Sequence, residues 1–346
     1  MNTQGKPRIL IVGAGSMGVV AGYHLGLAGA DITFLVRPHR ADEMDRPQIL
    51  YSHEDNRLKE FTGFSYLTSP SEVMGAGYDY ILVTLDGATL RSDTARALVV
   101  QLGEAVRGTE TKILLGTVFF DLRNWFLQVT KLPGDQVTNA YAQIHSYPTH
   151  ALTLPGDADT DAALLAQADI AYADRFGPGM IIDDSAPEVA NSFAEIYNAS
   201  GVSSCLVLPA GQLAVNANPM LAVLVACELV DWVPLKDLHQ HKEVWDLALA
   251  AVKEIQALGF HGELGRRAAE ETTDATLTAS LVAWENAMRP LDLQAFNRYH
   301  HGGKVNAQDH AHLLACIAAG QAEGKPMTAL REIVRRTDDR HATAGR

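Results

Sequence analysis

The hydrophobic pattern begins with an apolar run at Arg8–Val12 (RILIV), short and β-rich enough to predict a strand buried on both faces. A glycine turn, GAGSMG, follows at once. VVAGYHLGLAGA then carries a helical pattern up to Gly29, and DITFLV reads as a second strand. Tyr80–Thr84 (YILVT) and Lys112–Leu115 (KILL) are further buried-strand runs, separated by a helix from about Thr89 to Val106. From about 135 the pattern breaks into short β-like pieces interrupted by Pro and Gly (VTNAYAQIHSYPTHALTLPG, later GPGMIIDD). Residues 151–175, acidic and rich in Ala, read as an inserted surface segment, and a helix from about Ala186 to Asn198 with a strand at Ser204–Leu208 completes the first half. Beyond Pro209 strand signals stop. Helices are expected at Asn218–Trp232, His239–Leu258, Gly262–Glu271, Leu277–Met288, Ala307–Glu323 and Met327–Arg336. In the second of these, Val244, Leu247, Ala248, Ala251, Ile255 and Leu258 recur at i, i+3, i+4, i+7 and mark a packed face. The pattern predicts an α/β Rossmann-type dinucleotide-binding domain over residues 1–208, then an all-helical domain over 209–346, with the substrate in the cleft between them.

Composition narrows the function classes. A chain of 346 residues is more than one core usually fills. Apolar residues at 47% and charged residues at 20% are ordinary for a globular protein. A formal charge of −13 argues against a nucleic-acid partner. Cys205, Cys227 and Cys316 are widely spaced in apolar surroundings, which suits buried reduced thiols better than a disulfide framework or a zinc ribbon. The first residues lack a signal-peptide organisation, and no apolar run approaches the roughly 20 residues a bilayer span needs. The expectation is a soluble cytoplasmic protein with no membrane partner, as a monomer or homodimer.

The strand–turn–helix–strand context gives the glycine motif its meaning. Gly13 permits the tight turn, Gly15 lets the backbone approach a pyrophosphate, and Gly18 lets the helix pack on the strand. With Ala14, Ser16 and Met17 these residues form the phosphate-binding turn at a helix start, where unsatisfied N–H groups and the dipole favour an anion. Where an NAD site carries Asp or Glu at the end of the second strand, this chain has Arg37, followed by His39 and Arg40. A guanidinium there binds a 2′-phosphate, so NADP(H) is the expected cofactor. The segments after the next two strands, Leu85–Gly87 and Gly116–Phe119 with Thr117, should line the same crevice.

On ILIVGAGSMG, Arg37, QLAVNANP (212–219) and GGKVNAQD (302–309), the chain resembles the ketopantoate reductase-like (2-dehydropantoate 2-reductase) family. Its members pair an NADP(H) Rossmann domain with a helical domain related to that of 6-phosphogluconate dehydrogenase. The resemblance covers nearly the whole length, and a Gly-Lys-Pro-type turn at Gly324-Lys325-Pro326 extends it. It implies carbonyl reduction by hydride transfer, with a Lys protonating the oxygen and Asn residues orienting a keto acid. Gln212 holds the place of that Lys, Asn216 matches the first Asn, and Asn218 comes two residues before the place of the second. The family's Glu falls on Ala307, its Asp on Asp309 and its Ser near Ala295. A family Lys after the third strand falls on Asp86, and a Gln-Asn-Gly falls on Thr117-Val118-Phe119. Cofactor binding carries over, whereas the substrate apparatus is altered.

The altered site leaves alternatives open. Gln212 hydrogen-bonds but does not titrate. Either the proton comes from His145, His150, His300 or His301, or the substrate is an imine already protonated as iminium. The candidate substrate-site residues are Gln212, Asn216, Asn218, His300 and Asp309. The plain reading of His300 and His301 is a solvated loop, and that of Asp309 an acidic residue in a helix's first turn. The pairs His239/His241 and His310/His312 face different sides of a helix, so no metal is expected. Phe119, Phe120 and Trp125 hint at an apolar, aromatic substrate or at plain core. The function expected is an NADPH-dependent reductase of a small C=O compound other than ketopantoate. The alternatives are an opine- or imine-type reductase acting on C=N, and an inactive NADPH-binding sensor.

Overall fold

The computed structural model describes residues 5–155 and 159–344, so the readings of the first four residues and of 156–158 lie outside the described residues. The chain divides into two units, Met1–Pro209 and Ala210–Arg346. The described strands all belong to the first unit. In chain order they are β1 (Arg8–Val12), β2 (Asp31–Leu35), β3 (Gln48–Ser52), β4 (Arg57–Phe61), β5 (Ser65–Leu67), β6 (Tyr80–Val83), β7 (Lys112–Leu115), β8 (Val137–Ala142), β9 (His145–Pro148), β10 (Ile170–Ala173), β11 (Met180–Asp183) and β12 (Cys205–Leu208).

The main sheet runs β12-β11-β8-β7-β6-β1-β2-β5. Its six strands from β5 to β8 are all parallel, and β11 joins antiparallel to β8. Parallel strands are covered on both faces, which is why β1, β6 and β7 read as continuous apolar runs. From β1 the chain moves to one side through β2 and β5, then crosses to β6, β7 and β8, so the strand order reverses at β1/β6. Register aligns the carboxyl ends there: Val12 pairs with Leu35 and Val83, and Val83 pairs with Leu115. The four segments that follow therefore emerge side by side, at the position where open α/β sheets bind ligands. The helix Ser16–Leu27 buries Val19, Val20 and Leu25 against this sheet, and Gly22 admits the Phe34 ring, which a Cβ would meet at 2.7 Å.

A second sheet, β4-β3-β10-β9, corrects the reading of 151–175 as a surface insertion. Within that stretch β10 is buried throughout and pairs parallel to β3 and antiparallel to β9. Four small or apolar residues inside a long acidic stretch vanish when composition is averaged. The helix expected from Thr89 to Val106 is two helices, Gly87–Arg91 and Asp93–Val106, because Ser92 leaves helical geometry and caps the second through the Ala95 N–H.

Among the described residues the second unit contains no strand. Its α-helices are Ala210–Glu228, Lys242–Gln256, Gly262–Glu271, Asp274–Ala287, Leu293–Tyr299, Asn306–Ala322 and Thr328–Ala344. The first starts at Ala210 rather than Asn218, since Pro219 is tolerated inside it. By length and composition this helix alone, among the described residues, would suit a bilayer, which corrects the expectation that no run comes near that length; 61% of its most apolar window is buried inside the structure, as in a core helix. Leu293–Tyr299 has no counterpart in the pattern reading, and it continues into a π-helical turn, His300–Lys304, where a solvated loop was expected.

Candidate functional site

The three glycines of the turn have three different jobs. Gly13 has a φ of +106°, and its N–H donates to the Leu35 carbonyl at 3.0 Å. A Cβ on Gly18 would lie 2.3 Å from the Gly13 carbonyl oxygen, so only glycine lets the helix approach the strand. A Cβ on Gly15 would meet nothing within 4 Å. Gly15 is thus free of packing demands and exposed at the head of the helix Ser16–Leu27, which no side chain caps and whose first turn has no acidic residue. The first helical bond runs from the Val19 N–H to the Gly15 carbonyl at 2.9 Å, leaving the N–H groups of Ser16, Met17 and Gly18 ahead of the ladder. Backbone donors beside an open face suit a pyrophosphate, so these residues fit the dinucleotide their motif implies.

The neighbouring strand ends complete the rim. Thr84, just past β6, clamps the turn: its hydroxyl donates to the carbonyls of Val12 and Gly13, each at 3.1 Å. The Leu85 side chain lies against Gly13. Asp86, expected in the place of a family Lys, caps the helix Gly87–Arg91 by accepting from the Thr89 N–H at 2.7 Å. Arg37, two residues past β2, is exposed, and its side chain makes no ion pair or hydrogen bond among the described residues. Arg40 reaches the Ala14 carbonyl at 3.4 Å and pairs with Glu43 at 2.8 Å. Two guanidinium groups therefore stand at the end of β2, one beside the glycine turn. Past β7, Gly116 donates to the Val83 carbonyl at 2.7 Å, Thr117 is half-buried, and Phe119 and Phe120 are buried.

In the second unit the carboxamides separate. Gln212 and Asn216 share one face of the helix Ala210–Glu228, where the Gln212 amide donates to Asn216 Oδ1 at 3.1 Å. Asn218 points elsewhere: it is 6% exposed, beside Pro219 in the helix interior, and its backbone is hydrogen-bonded by the fully buried His312. The three were expected to act together, and a two-residue offset on a helix turns Asn218 away from the others.

The π-helical turn makes a pairing that spacing did not indicate. His301 Nδ1 lies 2.7 Å from Asp309 Oδ2, and Asp309 has no exposed surface. Asp309 is therefore not a plain first-turn acid facing solvent. Its other oxygen, Oδ1, has no hydrogen-bond partner among the described residues, and neither has His301 Nε2. Asn306 donates to the His301 carbonyl at 3.1 Å and to Glu228 at 3.3 Å, and Glu228 also contacts His341. His300 stacks on Phe296 at 5.3 Å and meets the His301 ring edge-on at 4.8 Å. Gly302 fits against Trp232, whose ring a Cβ would meet at 2.9 Å. Ala307, expected in the place of the family's Glu, and Ala295, expected near that of its Ser, offer no polar side chain. His145 lies on β9 and His150 just beyond it, both in the segment of the four-stranded sheet rather than in the row of strand ends. His310 sits near Asp338 at 3.1 Å, whereas His312 is fully buried and held by burial at about 3. Among the described residues no group of three or more His, Cys, Asp or Glu could hold a metal ion.

The comparisons bear on the fold and the family. The family model described as ketopantoate reductase PanE/ApbA matches residues 9–98. No curated protein matches the sequence. Among solved structures, 2-dehydropantoate 2-reductase from Methylococcus capsulatus is 14% identical with a TM-score of 0.68, covering 98% of each chain. The enzyme of that name from Geobacter metallireducens GS-15 is 16% identical with a TM-score of 0.66, covering 95% of this chain and 98% of its own. D-mandelate dehydrogenase in complex with NADH is 12% identical with a TM-score of 0.64, covering 96% and 99%. The chain is thus similar to the PanE/ApbA ketopantoate reductases in sequence over residues 9–98, and over nearly its whole length it shares their fold, a Rossmann-type sheet followed by helices.

Proposed function

We propose that the protein is an NADPH-dependent reductase of a small carbonyl compound other than ketopantoate. One observation carries this reading: the glycine turn leaves Gly15 open at an uncapped helix start, with Arg37 unpaired at the end of β2 where an NAD site keeps a carboxylate. The fold and the family match support an NAD(P)-dependent oxidoreductase in general. The fold alone does not choose the cofactor, since D-mandelate dehydrogenase is described with NADH. The choice of NADPH rests on Arg37 and Arg40.

The bound cofactor would supply a hydride, and this chain's residues would do the rest. Backbone N–H groups of Ser16–Gly18 would hold the pyrophosphate, and Arg37 with Arg40 the 2′-phosphate. Gln212 and Asn216 would hydrogen-bond the substrate oxygen without giving it a proton. His301 is the proton donor of this reading. Asp309 accepts at Nδ1 and fixes the ring, leaving Nε2 to give the proton to the alkoxide.

A second reading, reduction of an iminium, is favoured by Gln212 alone, because that bond needs no acid in the same step. NADPH oxidation measured against 2-oxo acids, cyclic imines, and mixtures of oxo acid and amine separates the two. Turnover of oxo acids without amine supports the carbonyl reading, and turnover only of imines overturns it. NADPH binding with no turnover at all would make the protein a sensor.

A further inference from the structure

Arg91 takes no part in the chemistry so far assigned. It ends the helix Gly87–Arg91, which starts four residues past β6, and its guanidinium lies over the ring of Phe119 at 4.8 Å and near that of Trp125 at 5.5 Å. Phe119 follows β7, and Gly87 holds it close: a Cβ on Gly87 would come 2.4 Å from the Phe119 Cβ. The Arg91 side chain makes no hydrogen bond or ion pair among the described residues, and its Nε is sealed from solvent without a partner. Asp121 is near enough to act on its charge, but Asp121 Oδ1 accepts from Asn124 at 2.6 Å and makes no ion pair with Arg91.

A half-buried guanidinium with an orphaned N–H is costly until an anion completes it. Strand order says which anion. Arg37 and Arg40, the groups proposed for the 2′-phosphate, stand past β2, on one side of β1, whereas Arg91 follows β6 and its aromatic neighbours follow β7, on the other side. A dinucleotide lying across the switch point with its 2′-phosphate toward β2 extends its nicotinamide toward β6 and β7. The anion that meets Arg91 is then the substrate's.

We propose that Arg91 is the receptor for the carboxylate of the substrate, and that the substrate carries a flat, apolar side chain beside it. The proposal deepens, and rests on, the reductase reading above. The planar fork of a guanidinium matches the two oxygens of a carboxylate, and the aromatic rings beside it are Phe119 and Trp125.

The test uses the full chain saturated with NADP+, titrated calorimetrically with phenylglyoxylate and with its uncharged amide, while tryptophan fluorescence is followed. Wild type should bind the anion at least about 10-fold more tightly than the amide. Arg91→Gln should weaken the anion about 10- to 100-fold and leave the amide within about twofold, with Arg91→Lys recovering part of the loss. The fluorescence change should be lost in Trp125→Phe, and all variants should bind NADP+ as wild type does. Three results would overturn the proposal: a wild type indifferent to the charge, an Arg91→Gln variant that keeps the anion preference, or equal loss of both probes with a lowered melting temperature. If wild type failed to bind NADP+ at all, the reductase reading itself would fall and take the proposal with it.

Discussion

Gly15 and Gly18 stand three residues apart, yet their missing side chains answer to different demands. A methyl on Gly18 runs into the Gly13 carbonyl, whereas one on Gly15 enters open space. Gly18→Ala should cost about 1–3 kcal/mol or more of stability in denaturant titration. Gly15→Ala should leave stability nearly unchanged and weaken dinucleotide binding by fluorescence titration. Equal effects of the two on stability would remove the case that Gly15 is kept for a ligand. At the end of β2, Arg37→Ala should weaken NADPH about 10- to 100-fold and NADH less than about threefold; parallel losses would mean the 2′-phosphate lies elsewhere. These residues were legible because a glycine spacing and a strand-end charge are local features. Arg91 was not legible, since its significance comes from two aromatic residues far along the chain and from the absence of a carboxylate partner.

Among the elements, the π-helical turn His300–Lys304 does most to reshape the site. It continues the helix Leu293–Tyr299 and ends at Val305, which turns the chain so that His301 faces Asp309 in the next helix. Sequence alone named both residues but gave no reason to join them, because a wide turn has no hydrophobic period of its own. The groups that bear on His301 are Asp309 on the next helix, His300 on its own turn, and Glu228 through Asn306. In the proposed reaction His301→Gln should lower kcat about 10²- to 10³-fold with little change in NADPH affinity. Asp309→Asn should lower kcat less, and added imidazole should partly rescue His301→Ala. The helix Ala210–Glu228 shows the opposite limit of pattern reading. Pro219 marked a helix start by rule, and the structure carries the helix through it at the expense of one hydrogen bond. The second sheet escaped notice because β3 and β10 pair across more than a hundred residues, and a short strand carries no sign of so distant a partner.

For the molecule as a whole, the order of layers and the change from α/β to helical were readable because parallel strands and amphipathic helices impose different periods. What surrounds the buried histidines was not. Burial lowers His24, His53 and His261 to about 4 and His312 to about 3. Each is lowered in the folded state, so between its ordinary value and its folded value the unfolded chain binds more protons, and stability rises with pH. Asp174, raised by burial to about 6, has the opposite slope, but it is one group against four. Melting temperature should therefore fall steadily as pH drops from about 6.5 toward 4. A flat profile there would mean that these imidazoles are not buried neutral. The claim that joins both units is that the chain reduces a carbonyl with NADPH in preference to NADH. A single-turnover experiment tests it most directly: protein loaded with one equivalent of NADPH or NADH is mixed with an aromatic 2-oxo acid, and the reduced-nicotinamide absorbance is followed. The absorbance should decay with NADPH, far more slowly with NADH at matched concentrations, and more slowly again in His301→Gln. An absorbance that stays constant although NADPH is bound would contradict it.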